Sequence, residues 1–169
     1  YRGREGSLTV TDMEWRHPLC DAFIEGAVQM GIPRNPDYNG HIQEGVSYVQ
    51  RTIAGGRRVS TARAFLRPAM KRGNLRVRTS AHATSIMLDG KRAVGVRYMQ
   101  GGVHGVPKQV RARREVILCG GTYNSPQVLQ LSGVGSPELL QAHGIEVRHA
   151  LPGVGEGLQD HYAPRSVAR

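Results

Sequence analysis

The residues whose types and spacing hold most chemistry run from Gly120 to Gly135, GGTYNSPQVLQLSGVG. The apolar run Val116-Ile117-Leu118-Cys119 precedes them and predicts a buried strand over Glu115 to Cys119. Gly120-Gly121 would end that strand in a tight turn. Asn124-Ser125-Pro126 then predicts a helix start, with Ser125 as the capping hydroxyl and Pro126 at the first helical position, where no N–H is needed. The helix reads through Val128, Leu129 and Leu131 and stops at Ser132-Gly133. A strand, a glycine turn and a helix N-terminus point unpaired N–H groups at an anion or a cofactor. Gly120 and Gly121 let a ligand or another backbone come close, although a bare strand–helix turn needs the same residues. Thr122 and Asn124 would add hydrogen-bonding side chains there.

His161, after Asp160, carries an imidazole that could act as a general base near neutral pH. The plainer reading is a histidine held within a loop. The other histidines, His17, His41, His82, His104, His143 and His149, lack metal-ligand spacing, and no metal site is expected. There is no Cys-x-x-Cys and no Gly-x-Ser-x-Gly elbow. Cys20 and Cys119 form no disulfide framework and read as small buried hydrophobes.

Several elements must position these groups. Ser7 to Val10 reads as a short strand. His17 to Met30 has helical spacing, with Leu19, Phe23, Ala27 and Met30 on one face and Gly31 as its stop. Residues 33–45 form a turn-rich loop, and Val46 to Ile53 alternates like a strand that Gly55-Gly56 breaks. Ser60 caps a helix through Ala62, Phe65, Leu66 and Met70, whose last turn Pro68 disturbs. Leu75 to Thr79, His82 to Leu88, Ala93 to Met99 and Lys108 to Ala112 read as strands, the middle two joined at Asp89-Gly90. Glu138 to His143 is a short helix after Ser136, Ile145 to Val147 a strand, and Pro152 to Gly157 a glycine-rich turn.

The chain has 169 residues, 39% hydrophobic and 5% aromatic, enough for a real core. It has no run of about 18 apolar residues, so no helical membrane span is expected. No compartment is named by these residues; the cytoplasm is the default. Net charge is +10, from 23 basic and 13 acidic residues, which raises nucleic-acid binding as a function class. The arginines are scattered, however. Only Arg57-Arg58 and Arg111, Arg113 and Arg114 cluster, without the interleaved aromatics of a base-stacking surface. No nucleic-acid partner is expected; attraction for an anionic diphosphate is an alternative use of the charge.

The pattern Gly121-x-x-x-Ser125-Pro126-x-Val128-Leu129-x-x-Ser132-Gly133-Val134-Gly135 resembles the second signature of the glucose–methanol–choline (GMC) oxidoreductases, which are FAD enzymes. Asn35-Pro36-Asp37-Tyr38-Asn39-Gly40 with Gln43-Glu44-Gly45 agrees. So do Arg58-Val59-Ser60-Thr61-Ala62 with Phe65-Leu66-Arg67-Pro68-Ala69, and Leu151-Pro152-Gly153-Val154-Gly155 with Leu158-Gln159-Asp160-His161. The resemblance runs from about Gly6 to His161, in the family's order. It implies a mixed α/β fold: part of an FAD-binding, Rossmann-like domain with an antiparallel β-meander, plus part of a substrate-side domain. The implied division is 1–56 for the substrate side, 57–150 for the FAD-binding domain, and 151–169 for a loop crossing back.

The same resemblance implies FAD as cofactor, an alcohol as substrate, and a separate electron acceptor. Ala83 falls where the family's adenine-binding Val stands, a departure that spares backbone contacts. Gly120, Gly121 and Thr122 are implied beside the cofactor, and His161 at most in the substrate pocket. The family's Gly-x-Gly-x-x-Gly loop and its catalytic His have no counterpart here. The chain therefore reads as a middle piece of a longer enzyme, without catalytic residues and inactive by itself. Choline-oxidising members have Glu two residues after the histidine matched by His161; Ala163 stands there, which argues against choline. The alternative is a non-catalytic module without cofactor, prone to self-association through an unpaired sheet edge. A basic nucleic-acid-binding domain is a lesser one.

Overall fold

The computed structural model describes residues 3–165. The chain divides into two compact units, Tyr1–Val77 and Arg78–Arg169, each described by itself.

In the first unit the main element is α1, Pro18–Gln29. His17 caps it, its Nδ1 accepting the Leu19 N–H at 3.2 Å, and Pro18 takes the first helical position. Gly31, at φ 92°, ends it. The expected apolar face is turned outward. Leu19, Phe23 and Met30 are exposed, and the inward stripe is His17, Asp21, Ile24 and Ala27, with Ile24 buried. Polar partners decide this: the Tyr48 hydroxyl accepts the His17 N–H at 3.3 Å and donates to Asp21 Oδ1 at 3.0 Å. Hydrophobic spacing located the helix but could not say which side its partner would claim. Cys20 is exposed as well, against expectation.

The loop 33–45 is organised by Asn35. Its Nδ2 donates to the carbonyls of Ile42 and Glu44 at 2.8 and 3.0 Å, and its Oδ1 accepts the Asp37 N–H at 2.9 Å. Gly45 closes the loop at φ 137°, where an added Cβ would lie 2.6 Å from Asn35 Cβ. Ser7 to Val10 forms no strand, with only Thr11 beyond it bridging to Arg51, and the strand expected over Val46 to Ile53 reduces to the bridges of Val46 with Arg34 and Arg51 with Thr11, with Ile53 alone entering a ladder. Before Ile53, neither segment continues a ladder. A two-residue hairpin follows, β1 (Ile53–Ala54) with β2 (Arg57–Arg58), turning at Gly55-Gly56 with both at positive φ. The Ser60 hydroxyl accepts the Arg63 N–H at 3.3 Å. The helix it opens is a π turn, Ala62–Leu66, running into α2, Arg67–Ala69. The irregular part is thus the start of the element and not the last turn expected from Pro68, because the missing Pro68 N–H removes the bond to the Ala64 carbonyl one turn back.

The second unit is built on a meander, β3 (Ala81–Asp89), β4 (Arg92–Gln100) and β5 (Val106–Arg111), in that order and antiparallel. Gly90, at φ 54°, turns the first hairpin and Gly101 and Gly102 open the second. β3 and β5 are the outer strands of the meander. Pro107 and Lys108 blunt β5 as a template for further pairing. Leu75 to Thr79 forms no strand.

The segment 115–119 is neither a strand nor buried, and Ile117 is 75% exposed. A strand of this apolar kind takes its ladder bonds and its cover from neighbours on both sides. Among the described residues none pairs with it. Cys119 is exposed for the same reason.

Helix α3, Gly121–Leu131, packs on β3, with Val128 buried. It is followed by a small parallel unit: β6 (Val134–Gly135), α4 (Pro137–Ala142) and β7 (His149–Ala150), β6 pairing with β7. Ser136 caps α4 and Leu140, 1% exposed, anchors it. The strand expected at Ile145 to Val147 falls later, at His149–Ala150, because Gly133 O takes the N–H groups of Arg148 and His149 and sets the register there. The core of this unit is Ile86, Met87, Tyr98, Val128 and Leu140.

Candidate cofactor site

The glycine turn and α3 meet as the sequence suggests, but the helix begins earlier. Gly120 is its N-cap residue and Gly121 its first, at φ 78°, so the change of direction is taken up by glycine and the helical turn starts at once. Ser125 and Pro126 therefore lie inside α3, not at its start, and Ser125 is no cap. Pro126 removes the N–H that would bond to the Thr122 carbonyl one turn back. No side chain caps this end, so the leading N–H groups of α3 keep their donors for a ligand or solvent.

Beside this end lies a concavity of about 680 Å³. One wall is the exposed side of α3: Thr122, Tyr123, Asn124, Gln127 and Gln130. The other is the glycine-rich stretch Gly155 to Gln159. Gln130 joins the walls, its Nε2 donating to the Val154 carbonyl at 3.1 Å. Gly155 sits at φ 89°, and a Cβ there would lie 2.8 Å from Gln130 Nε2. A side chain here would be strained at this φ and would displace the Gln130 amide. The lining is mostly amides, hydroxyls and main chain, with one carboxylate, Glu156, and no fixed positive charge.

Thr122 and Asn124 are the expected residues that line this concavity, with Gly120 and Gly121 next to them in the chain. Ala83 and His161 do not line it. Ala83 is exposed on edge strand β3, opposite Tyr98, just before a bulge where Thr84 is the extra residue. The buried Tyr98 takes a hydrogen bond from Arg78 Nη1 at 2.6 Å. His161 is exposed in an irregular stretch, its own N–H bound to Asp160 Oδ1 at 2.7 Å. Sequence reading missed Gln127 and Gln130. Their signal was the second glycine run, Gly153 to Gly157, which needed a close partner. No group of three or more His, Cys, Asp or Glu residues able to hold a metal is found among the described residues. Among the described residues no helix is long and apolar enough to cross a membrane.

Comparison with known proteins fits this architecture. A solved FAD-dependent oxidoreductase from Chaetomium thermophilum superposes with a TM-score of 0.84 at 28% identity, covering 90% of this chain and 26% of that one. Pyridoxine 4-oxidase from Mesorbium loti superposes with a TM-score of 0.81 at 31% identity, covering 89% and 29%. The fold is thus that of a segment of FAD-dependent oxidoreductases.

The GMC oxidoreductase family model matches residues 1–163, and the chain belongs to that family. Among curated relatives, oxygen-dependent choline dehydrogenase of Chromohalobacter salexigens is 52% identical over 163 residues, and that of Klebsiella pneumoniae 48%. The chain spans about 29% of the length of these relatives.

Proposed function

We propose that this chain is a segment of an FAD-dependent alcohol oxidoreductase, contributing cofactor contacts and no catalytic residue. The observation that carries the reading is the family match over residues 1–163. The residues present fit the group. The uncapped N-terminus of α3 offers donors for anionic or hydroxylated parts of FAD. Gly121 leaves open space where a side chain would stand. Ala83 lies on an edge strand, where some main-chain groups face away from the sheet. In this reading Ala83 meets the adenine through its backbone, Gly120, Gly121 and Thr122 border the cofactor, and His161 belongs to the substrate pocket. Residues 1–56 belong to the substrate side, 57–150 to the FAD-binding domain, and 151–169 to the loop between them.

FAD, when bound, accepts the hydride leaving the alcohol carbon. The chain's own part is to hold and orient: backbone donors fix the cofactor, and the glycine-rich wall lets it lie close to α3. The second partner is an electron acceptor. The alcohol named by the relatives is choline, but Ala163 lacks the carboxylate that would face a trimethylammonium group, and an uncharged alcohol is the better fit.

The test has two arms. The 169-residue chain, purified and desalted, is expected to lose flavin colour; retention of stoichiometric flavin would show a complete site in this segment. The full-length protein is expected to be yellow and to reduce a dye with an alcohol panel. A colourless, inactive full-length protein would favour the cofactor-free module.

A further inference from the structure

A second concavity of the unit Arg78–Arg169, about 510 Å³, lies away from the residues of the cofactor reading; none of Ala83, Gly120, Gly121, Thr122 and His161 lines it. Its floor includes the buried Ile86 and Met87. Its polar lining is dominated by arginines, Arg97 from β4, Arg111 from β5 and Arg148 from the approach to β7, with the Ser85 hydroxyl on β3. Two carboxylates also line it, Asp89 and Glu146. Glu146 is already engaged, its Oε2 accepting from Arg148 Nη2 at 3.0 Å.

Arg97 and Arg111 differ from the other arginines of the meander. Arg78 is bound to the Tyr98 hydroxyl and Arg92 to the Arg113 carbonyl. The side chains of Arg97 and Arg111 make no hydrogen bond or ion pair with any described residue. The pairing register sets Arg111 opposite Gly95 and Arg97 opposite Gln109, so the two arginines are diagonal neighbours on one face. Gly95 between them is glycine because the strands close in there: a Cβ would meet the Val110 carbonyl at 2.4 Å and Met87 Sδ at 3.2 Å. Two like charges on neighbouring strands repel, and Asp89, the one groove carboxylate not held by Arg148, forms no ion pair with either. A planar guanidinium fork matches an oxyanion bidentately, and two forks facing one gap form a receptor for one.

We propose that this groove binds an oxyanion-bearing ligand, a phosphate or a carboxylate, between Arg97 and Arg111, with the Ser85 hydroxyl as a further donor. This site is separate from the cofactor reading and stands or falls without it.

The test titrates the full 169-residue chain with inorganic phosphate, and in parallel with citrate, at constant ionic strength by calorimetry. Saturable binding of one equivalent is expected for at least one probe; phosphate alone would identify a phosphate site, citrate alone a carboxylate site. Arg97→Ala with Arg111→Ala is expected to weaken binding by at least about tenfold, the worth of charge-assisted hydrogen bonds. Arg113→Ala with Arg114→Ala removes the same charge away from the groove lining and is expected to leave affinity within about twofold, as screened exposed charges do. Equal weakening by both double variants would mean general charge attraction and overturn the site, as would the lack of saturable binding by either probe. If the Arg97 variant fails to fold, Arg111→Gln on the exposed edge strand carries the same expectation.

Discussion

Ser132 Oγ accepts the backbone N–H of Ile86 at 2.7 Å and donates to the Val128 carbonyl at 2.5 Å. One buried hydroxyl thereby ties the end of α3 to the middle of β3, 46 residues earlier. It also ends the helix, because a serine bonded to the carbonyl four residues back competes with further turns. The cofactor reading depends on this link, since α3 carries Thr122 and β3 carries Ala83. Ser132→Ala leaves the Ile86 N–H buried without a partner, and the expected loss is about 1–3 kcal/mol of unfolding free energy. Urea denaturation of the two proteins measures it. A loss below about 0.5 kcal/mol, typical of a neutral surface change, would show that water reaches the Ile86 N–H.

Gly133, the next residue, lies at φ 83°, and an added Cβ would sit 2.4 Å from the Glu146 carbonyl. Gly144, at φ 68°, has open space around the same position. Gly144→Ala should therefore cost only the left-handed conformation, about 1–2 kcal/mol. Gly133→Ala adds a clash against backbone that is fixed by the β6–β7 pairing, and should cost clearly more, at least about 3 kcal/mol. Thermal unfolding of the pair distinguishes the two terms. Equal losses would mean that the 145–148 segment moves aside freely.

The meander was legible because hairpins advertise themselves. Asp89-Gly90 stands between alternating runs, and both the turn and the strands on either side lie where local chemistry puts them. Helix α4 was legible for the same reason, from Ser136 and Gly144. Glu115 to Cys119 was read as a buried strand from apolar content alone, and content cannot supply the neighbours that a parallel strand requires. The outward face of α1 is the same lesson: Leu19, Phe23 and Met30 mark a helix, but the Tyr48 hydroxyl selects the side with His17 and Asp21. At α3 the capping rule chose Ser125, while the positive φ of Gly121 allowed the helix to start five residues sooner. The glycines of the candidate site were visible from type and spacing. Gln130 was not, because its contact with Val154 spans 24 residues and no periodicity encodes it.

Glu138, in the first turn of α4, is fully exposed, yet its carboxyl is held below the ordinary glutamate value. The Ser136 hydroxyl, donating to Glu138 Oε2 at 2.6 Å, is the larger cause, and the residue's own backbone N–H the second. A folded-state value below the unfolded one means that the contribution to stability is full above the unfolded pKa and is lost as pH falls through the folded one. The window therefore lies on the acid side of the ordinary glutamate range. Ser136→Ala should move the Glu138 titration upward, read from its side-chain carboxyl resonance by NMR. An unmoved midpoint would assign the depression to the backbone and the helix end rather than to Ser136.

Ala163 offers the sharpest test of substrate class. It stands two residues after His161, in an exposed stretch without regular structure. A methyl group there gives a quaternary ammonium no counter-charge, whereas a carboxylate within about 4 Å contributes on the order of 1–4 kcal/mol of Coulomb attraction in a partly solvated site. On the proposed function, the full-length enzyme should turn over uncharged alcohols with higher kcat/KM than choline. Ala163→Glu should then raise kcat/KM for choline by about tenfold or more, mostly through KM, because the added attraction acts on the bound ground state as well as on the transition state. The uncharged isostere 3,3-dimethyl-1-butanol separates charge from shape and should gain nothing. High choline turnover by the unaltered enzyme, with no gain in the variant, would mean that another group neutralises the ammonium and that position 163 does not set specificity.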